Sequence, residues 1–159
     1  MSNTAILLLG SNMGNKEAML WQAKNLLKKY GNILMHSAIY KTAAWGNTQQ
    51  DEFYNQAIIF QTILSSQNLL QTILHCEAQM GRKRHIKWEP RVIDIDIIFY
   101  NNDIITSSDL TIPHPQMQLR NFVLKPIAEL VPDYVHPVLK KSIKELLIIC
   151  PDRLKVEKL

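Results

Sequence analysis

Residues 93–99 read Ile-Asp-Ile-Asp-Ile-Ile-Phe, and no other part of the chain constrains the fold as tightly. Side chains alternate across a strand, so Ile93, Ile95 and Ile97 share one face while Asp94 and Asp96 share the other. Adjacent carboxylates repel, and a β-branched core strand gains no stability from carrying two of them. A divalent cation removes the conflict. Oxygen ligands without a Cys or His cluster suit Mg²⁺, which takes one or two carboxylates and completes its shell with water and phosphate. Two acids on a solvated strand face would give the same pattern, so the deciding information lies just upstream.

Residues 82–91 hold five Lys/Arg and one Glu, a net +4, leaving 13 of the 18 bases against 13 of the 14 acids elsewhere. The whole charge excess sits in this one loop. Guanidinium forks for non-bridging oxygens, joined to carboxylates for a metal, are what a polyphosphate–Mg²⁺ ligand requires. A charge run alone is as often a solvated surface. Its junction with the Asp pair favours phosphate. One basic loop on a neutral body is a small footprint for nucleic acid, so no nucleic-acid partner is expected.

The other elements follow in order. Residues 6–9 form a buried strand closed by Gly10-Ser11-Asn12. Asn15 caps a helix running to Tyr30, with Trp21, Ala23, Leu26, Leu27 and Tyr30 inward and Gly31 as its stop. Strands are expected over 33–42 and 53–64, separated by a polar loop. Ser66 caps a second helix with Leu69, Leu70, Ile73 and Ala78 inward, ended by Gly81. The basic loop and the Asp strand follow, and Ile104-Ile105 pairs back as a short hairpin. The tail predicts helices near 121–130 and 142–149. The order β-α-β-β-α-β is the split βαβ arrangement of an α+β, ferredoxin-like core with a C-terminal extension.

At 159 residues and 47% hydrophobic content, a single domain over 1–159 with a full core is expected. Cys76 and Cys150 lie in predicted helices and form no C-x-x-C pair, which predicts a reduced, cytoplasmic setting. The apolar run 5–9 is too short for a signal peptide, and no stretch is long enough to span a bilayer. The five histidines show no zinc spacing, and Gly10 to Lys16 lacks the Walker spacing, with Glu17 after the Lys.

Two further groups could carry chemistry. Prolines flank His114 and would present its ring from a rigid turn, with Arg120 as another phosphate fork and Phe122 as an aromatic plate. Taken singly, each is more often packing. Phe53 and Asn55 share a strand face: equipment for a flat, hydrogen-bonding heterocycle, or equally an edge aromatic capping the core.

Together these motifs resemble the 6-hydroxymethyl-7,8-dihydropterin pyrophosphokinases of folate biosynthesis. The family's Gly-Ser-Asn turn stands at Gly10-Ser11-Asn12. Its Arg-x-Arg then Trp-x-Pro-Arg-x-x-Asp-x-Asp signature stands at Arg82-Lys83-Arg84 and Trp88 to Asp96. Its Pro-His segment, followed by Arg and Phe, stands at Pro113-His114 and Arg120-Asn121-Phe122. Glu89, Pro115, Phe53 and Leu74 depart from residues common in the family.

The resemblance implies an αβα sandwich in which ATP, the co-substrate, gives its β,γ-pyrophosphoryl unit to the pterin's hydroxymethyl oxygen and leaves as AMP. Asp94 and Asp96 would hold two Mg²⁺ ions and, with Arg82 and Arg91, form the catalytic set. Glu77, Arg82, Arg84, Trp88, Arg91, Thr111, His114 and Arg120 would contact ATP. Thr42, Ala43, Trp45, Phe53, Asn55 and Phe122 would contact the pterin. The expected partners are these two small molecules, with no membrane association and a monomeric chain. A nucleic-acid module using Phe53, Phe122 and the basic loop, or a non-catalytic ligand-binding domain, are the alternatives; the first gives no account of the Asp pair.

Overall fold

The computed structural model describes residues 2–43, 52–81 and 92–159. Its centre is an antiparallel sheet built from β1 (Asn3–Ser11), β2 (Asn32–His36), β3 (Tyr40–Thr42), β4 (Phe53–Thr62), β5 (Asp94–Tyr100) and β8 (Val156–Lys158). The order across it is β5-β1-β4-β3-β8, and β2 pairs with β4 beside β3. A separate two-residue pair joins β6 (Ile105–Thr106) to β7 (Thr111–Ile112). Four α-helices, α1 (Lys16–Leu27), α2 (Ser66–Gln79), α3 (Asn121–Leu130) and α4 (Ile143–Ile149), and one 3-10 turn (Met117–Leu119) complete the described residues.

β1 explains why its sequence is apolar without a break. Ala5, Leu7 and Leu9 pack with Leu20, Ala23 and Leu27 of α1 and Leu69, Ile73 and Cys76 of α2. Ile6 and Leu8 point the other way, against Val123, Leu124 and Ile127 of α3 and Ile143 and Leu146 of α4. A central strand covered on both faces has no polar side to show. Burial of each full aliphatic side chain contributes roughly 1.5–3 kcal/mol.

Several local expectations are corrected. β1 continues through Gly10 and Ser11 instead of turning there, because β4 and β5 supply pairing partners on both sides. Asn15 does cap α1, accepting from the Ala18 N–H at 3.1 Å, but the helix stops at Leu27 and Trp21 is 66% exposed. Gly31 is needed for closeness: a Cβ there would stand 2.3 Å from the Gln61 carbonyl oxygen. The expected strand 33–42 is two strands. Between them Ser37 keeps its N–H on the Ala57 carbonyl at 2.9 Å, while its Oγ accepts from the Ala57 N–H and its carbonyl from the Gln56 side-chain amide.

The cap of α2 is Ser65, not Ser66, and Ala78 is exposed while Cys76 and Glu77 are buried. Residues 69, 73, 76 and 80 follow the 3.6-residue period, whereas 78 lies opposite Leu69. Ile105 pairs with β7 and not with the Asp strand. The two tail helices form where expected, α4 with a capping box between Ser142 and Glu145. No helix among the described residues is long and apolar enough to cross a membrane.

After α3 the chain buries His136 against Phe99, ring centroids 5.6 Å apart. Its Nδ1 accepts from the Val138 and Leu139 N–H groups, and burial lowers its pKa below the usual 6.5. The unfolded chain therefore binds the proton more readily, so this contribution to stability is complete above pH ~6.5 and declines as pH falls toward the folded-state pKa. Thermal midpoints measured from pH 7.5 down to 5 should fall in the acidic half. His136→Asn, which keeps an acceptor at the Nδ1 position but cannot titrate, should flatten that fall; an unchanged slope would exclude His136 as its source.

Candidate functional site

The site is built on the edge strand. Asp94 and Asp96 stand half-buried on the α3 side of β5, while Ile93, Ile95 and Ile97 are buried in the core under α1 and α2. This is the alternation expected from the sequence. Register places Asp94 opposite Gly10, Gly10 opposite Asn55 and Asn55 opposite Tyr40, a row of four residues on one face. The Tyr40 hydroxyl donates to Glu129 of α3 at 2.7 Å, and burial with that bond raises its pKa to about 12. Pairing then shifts by one residue between Ile6 and Leu7, so that Phe99 joins the α3-side core.

Glu77 is 1% exposed, and its Oε2 accepts the Ile95 N–H at 2.7 Å. It thereby fixes the outer backbone edge of β5 between the two aspartates. An edge amide without such an acceptor would be left unsatisfied under α2.

A cavity of about 540 Å³ opens along this edge, lined in part by Leu74, Asp96, Thr111, His114 and Pro115. His114 is tethered by its N–H to the Ile98 carbonyl at 3.0 Å. Its Nδ1 accepts the Gln116 N–H at 3.3 Å, which leaves Nε2 to carry the ring proton. Burial lowers the His114 pKa, the Arg120 cation lowers it further, and Asp94 opposes both. The Arg120 guanidinium donates to Gln116 Oε1 and lies 5.8 Å from the centre of the Phe122 ring. Asp94, Asp96, Thr111, His114 and Arg120, dispersed over 27 positions of sequence, thus converge on one region.

The second wall is amide-rich. Asn55 is 4% exposed and its Nδ2 has no hydrogen-bond partner. Gly10 makes room for it: a Cβ at that position would sit 2.6 Å from Asn55 Oδ1 and 3.8 Å from Phe53 Cδ1. Asn121, beside Phe122 at the start of α3, buries an Oδ1 that also lacks a partner. Buried amide atoms left this way cost on the order of 1–3 kcal/mol each, which a bound ligand with matching groups recovers. Thr42 is buried, with its Oγ1 donating to the Lys155 carbonyl at 3.1 Å, and Ala43 is half-buried after it.

Arg82, Arg84, Trp88, Arg91 and Trp45 lie outside the described residues. Among those described, no three His, Cys, Asp or Glu side chains gather as a metal cage. The oxygen pair of Asp94 and Asp96 instead fits a hard cation completing its shell with water and phosphate oxygens. Sequence reasoning read Gly10 as a turn residue and gave Asn121 no role. The burial of the first inside a four-strand row, and the orphaned oxygen of the second, have no signature in the sequence.

Known proteins resemble this chain in sequence and in fold. The family described as 7,8-dihydro-6-hydroxymethylpterin-pyrophosphokinase (HPPK) matches residues 6–132. A 2-amino-4-hydroxy-6-hydroxymethyldihydropteridine pyrophosphokinase of Aquifex aeolicus is 37% identical over 142 residues, covering 89% of each chain. Its counterpart in Methylorubrum extorquens is 44% identical over 133 residues, covering 82% of this chain and 84% of that one. Among solved structures, the Plasmodium falciparum HPPK-DHPS protein with pterin and p-hydroxybenzoate superposes with a TM-score of 0.76 at 18% identity. That match covers 93% of this chain and 42% of the longer one, and it bears on the fold alone.

Proposed function

The chain belongs to the 7,8-dihydro-6-hydroxymethylpterin-pyrophosphokinase family and moves a pyrophosphoryl group from ATP to hydroxymethyldihydropterin in folate biosynthesis, and from that premise we propose how its residues divide the work. The single observation that carries the division is the row Asp94–Gly10–Asn55, which sets a metal-competent carboxylate and an unpartnered amide on one sheet face.

The cavity beside Asp96, Thr111 and His114 takes the nucleotide, with Leu74 and Pro115 as its apolar lining. His114 offers an N–H from Nε2, and Arg120 a guanidinium, to phosphate oxygens. Arg82, Arg84, Arg91 and Trp88 complete this set, with Glu77 acting from beneath through the β5 backbone. Asp94 and Asp96 would hold two Mg²⁺ ions, which supply charge neutralisation of the triphosphate and acidify an alcohol in contact with them. The pterin lies between Phe53 and Phe122. Asn55 reads its amide edge, Asn121 contributes the second unpartnered group, and the backbone from Thr42 through Ala43 to Trp45 frames it.

Stacking and amide bonds hold the hydroxymethyl oxygen toward the phosphate side, so the encounter becomes effectively unimolecular. No protein group near the row is required as a base. In fold, the strand order β5-β1-β4 followed by β2 and β3, with helices on both faces, supports a ferredoxin-like core over a single domain. Cys76 and Cys150 lie in opposite cores and cannot meet, which supports a reducing, cytoplasmic location.

Chromatography of nucleotides after incubation with Mg-ATP and 6-hydroxymethyl-7,8-dihydropterin tests the reading. AMP appearing only with the pterin is the expected result. ADP would mean transfer of one phosphate, and no product would favour a binding domain.

A further inference from the structure

The family match ends at residue 132, yet the segment after α4 is bonded both to α3 and to β3. Asp152 is 8% exposed. Its Oδ2 accepts the N–H of Asn121 at 2.9 Å, its Oδ1 accepts the N–H of Leu154 at 2.9 Å, and its carbonyl accepts the Asn121 side-chain amide at 3.0 Å. Asn121 opens α3, where Arg120 as N-cap residue offers no side-chain bond. The first N–H groups of a helix need an acceptor and favour a negative charge. Asp152 supplies both from 31 residues away, immediately before Phe122.

Four residues on, the same segment becomes β8 and pairs with β3, Val156 opposite Thr42 and Lys158 opposite Tyr40. Thr42 in turn stands opposite Phe53, and Tyr40 opposite Asn55. The Lys155 carbonyl takes the Thr42 hydroxyl, the Val156 carbonyl takes Lys125 of α3 at 3.3 Å, and the Leu159 N–H reaches the Ile39 carbonyl at 2.9 Å. One stretch of eight residues is therefore bonded on one side to the helix that carries Phe122. On its other side it is bonded to the strand that backs Phe53 and Asn55.

We propose that residues 152–159 form a strap that sets the spacing of the two pterin-binding walls, with Asp152 as a positioning residue for Asn121 and Phe122. The inference rests on the placement of the pterin described above. Asp152 touches no substrate in this arrangement. It acts by holding the first turn of α3, so its loss widens or tilts the Phe122 wall without removing any group that meets the ligand. On the nucleotide side, His114 is held separately, by its N–H on the Ile98 carbonyl, and the Arg120 guanidinium by Gln116.

The test compares wild-type protein with Asp152→Ala, Asp152→Asn and the surface control Lys144→Ala, whose only described ion pair is the exposed one with Asp133. Binding of a non-reactive ATP analogue and of the pterin to the analogue-loaded protein are titrated separately, with melting curves on each. Asp152→Ala should weaken pterin binding by roughly tenfold, about one charge-assisted hydrogen bond, with nucleotide affinity within about twofold. Asp152→Asn, which keeps one acceptor, should fall between, and Lys144→Ala should match wild type. In steady state the KM for pterin should rise with kcat nearly unchanged, which a merely structural role would not produce in protein that remains folded. If Asp152→Ala fails to fold, the Asp152→Asn titration decides alone. Unchanged pterin affinity in the folded variants overturns the strap while leaving the site intact. A wild-type protein that binds no pterin overturns the site and the strap together.

Discussion

Asp96→Ala is expected to lower turnover by about a thousandfold or more while leaving pterin affinity within roughly twofold. The asymmetry follows from position. Asp96 stands opposite Leu8, one step off the row that carries Asn55, and lines the cavity proposed for the nucleotide with Thr111 and His114. Its removal takes away one of two carboxylates available to a cation, and charge stabilisation at a transferring phosphoryl group is where such sites gain most of their rate. Nothing on the pterin wall is disturbed. Initial rates at saturating substrates, paired with a pterin titration in the presence of a non-reactive ATP analogue, measure both quantities. Normal turnover would remove Asp96 from the metal-holding role.

Gly10→Ala should weaken pterin binding by about 10–100-fold and leave the fold standing. The added Cβ meets Asn55 Oδ1 at 2.6 Å, closer than real Cβ contacts permit. The obstacle is the end of a side chain and not backbone, so the sheet keeps its ladder and the Asn55 amide swings aside. Calorimetric titration with pterin, beside a melting curve, separates the two effects. Unchanged affinity with an intact fold would show that the ligand does not read Asn55, and would shift recognition to Phe53 and Phe122.

Much of this arrangement was legible before any coordinates. Asp94 and Asp96 obey a period of two, and a period fixes a face without knowledge of the rest of the chain. The Asn15 cap is likewise a local signal. What failed were features decided at a distance. Gly10-Ser11 looks like a turn because glycine and serine favour turns, yet flanking strands draft them into β1. Nothing near residues 33–42 announces that the Ser37 hydroxyl will take the Ala57 N–H and its carbonyl the Gln56 side chain, some twenty positions away. Asn121 and Asp152 gain meaning only through each other. The ranking of Phe53, Asn55 and Phe122 above ordinary core residues came from family resemblance; the residues alone left that choice open.

The position of β5 has a consequence unrelated to catalysis. It is the outermost strand on its side of the sheet, and the stretch Ile95 to Tyr100 is rich in the β-branched and aromatic residues that drive strands of separate molecules together. Two features oppose such assembly. Glu77 already occupies the Ile95 N–H on the open edge, and an intruding strand would have to lie beside the charges of Asp94 and Asp96. The acids that suit this edge to a cation therefore also disfavour its pairing with a strand of another molecule, an effect that does not depend on turnover.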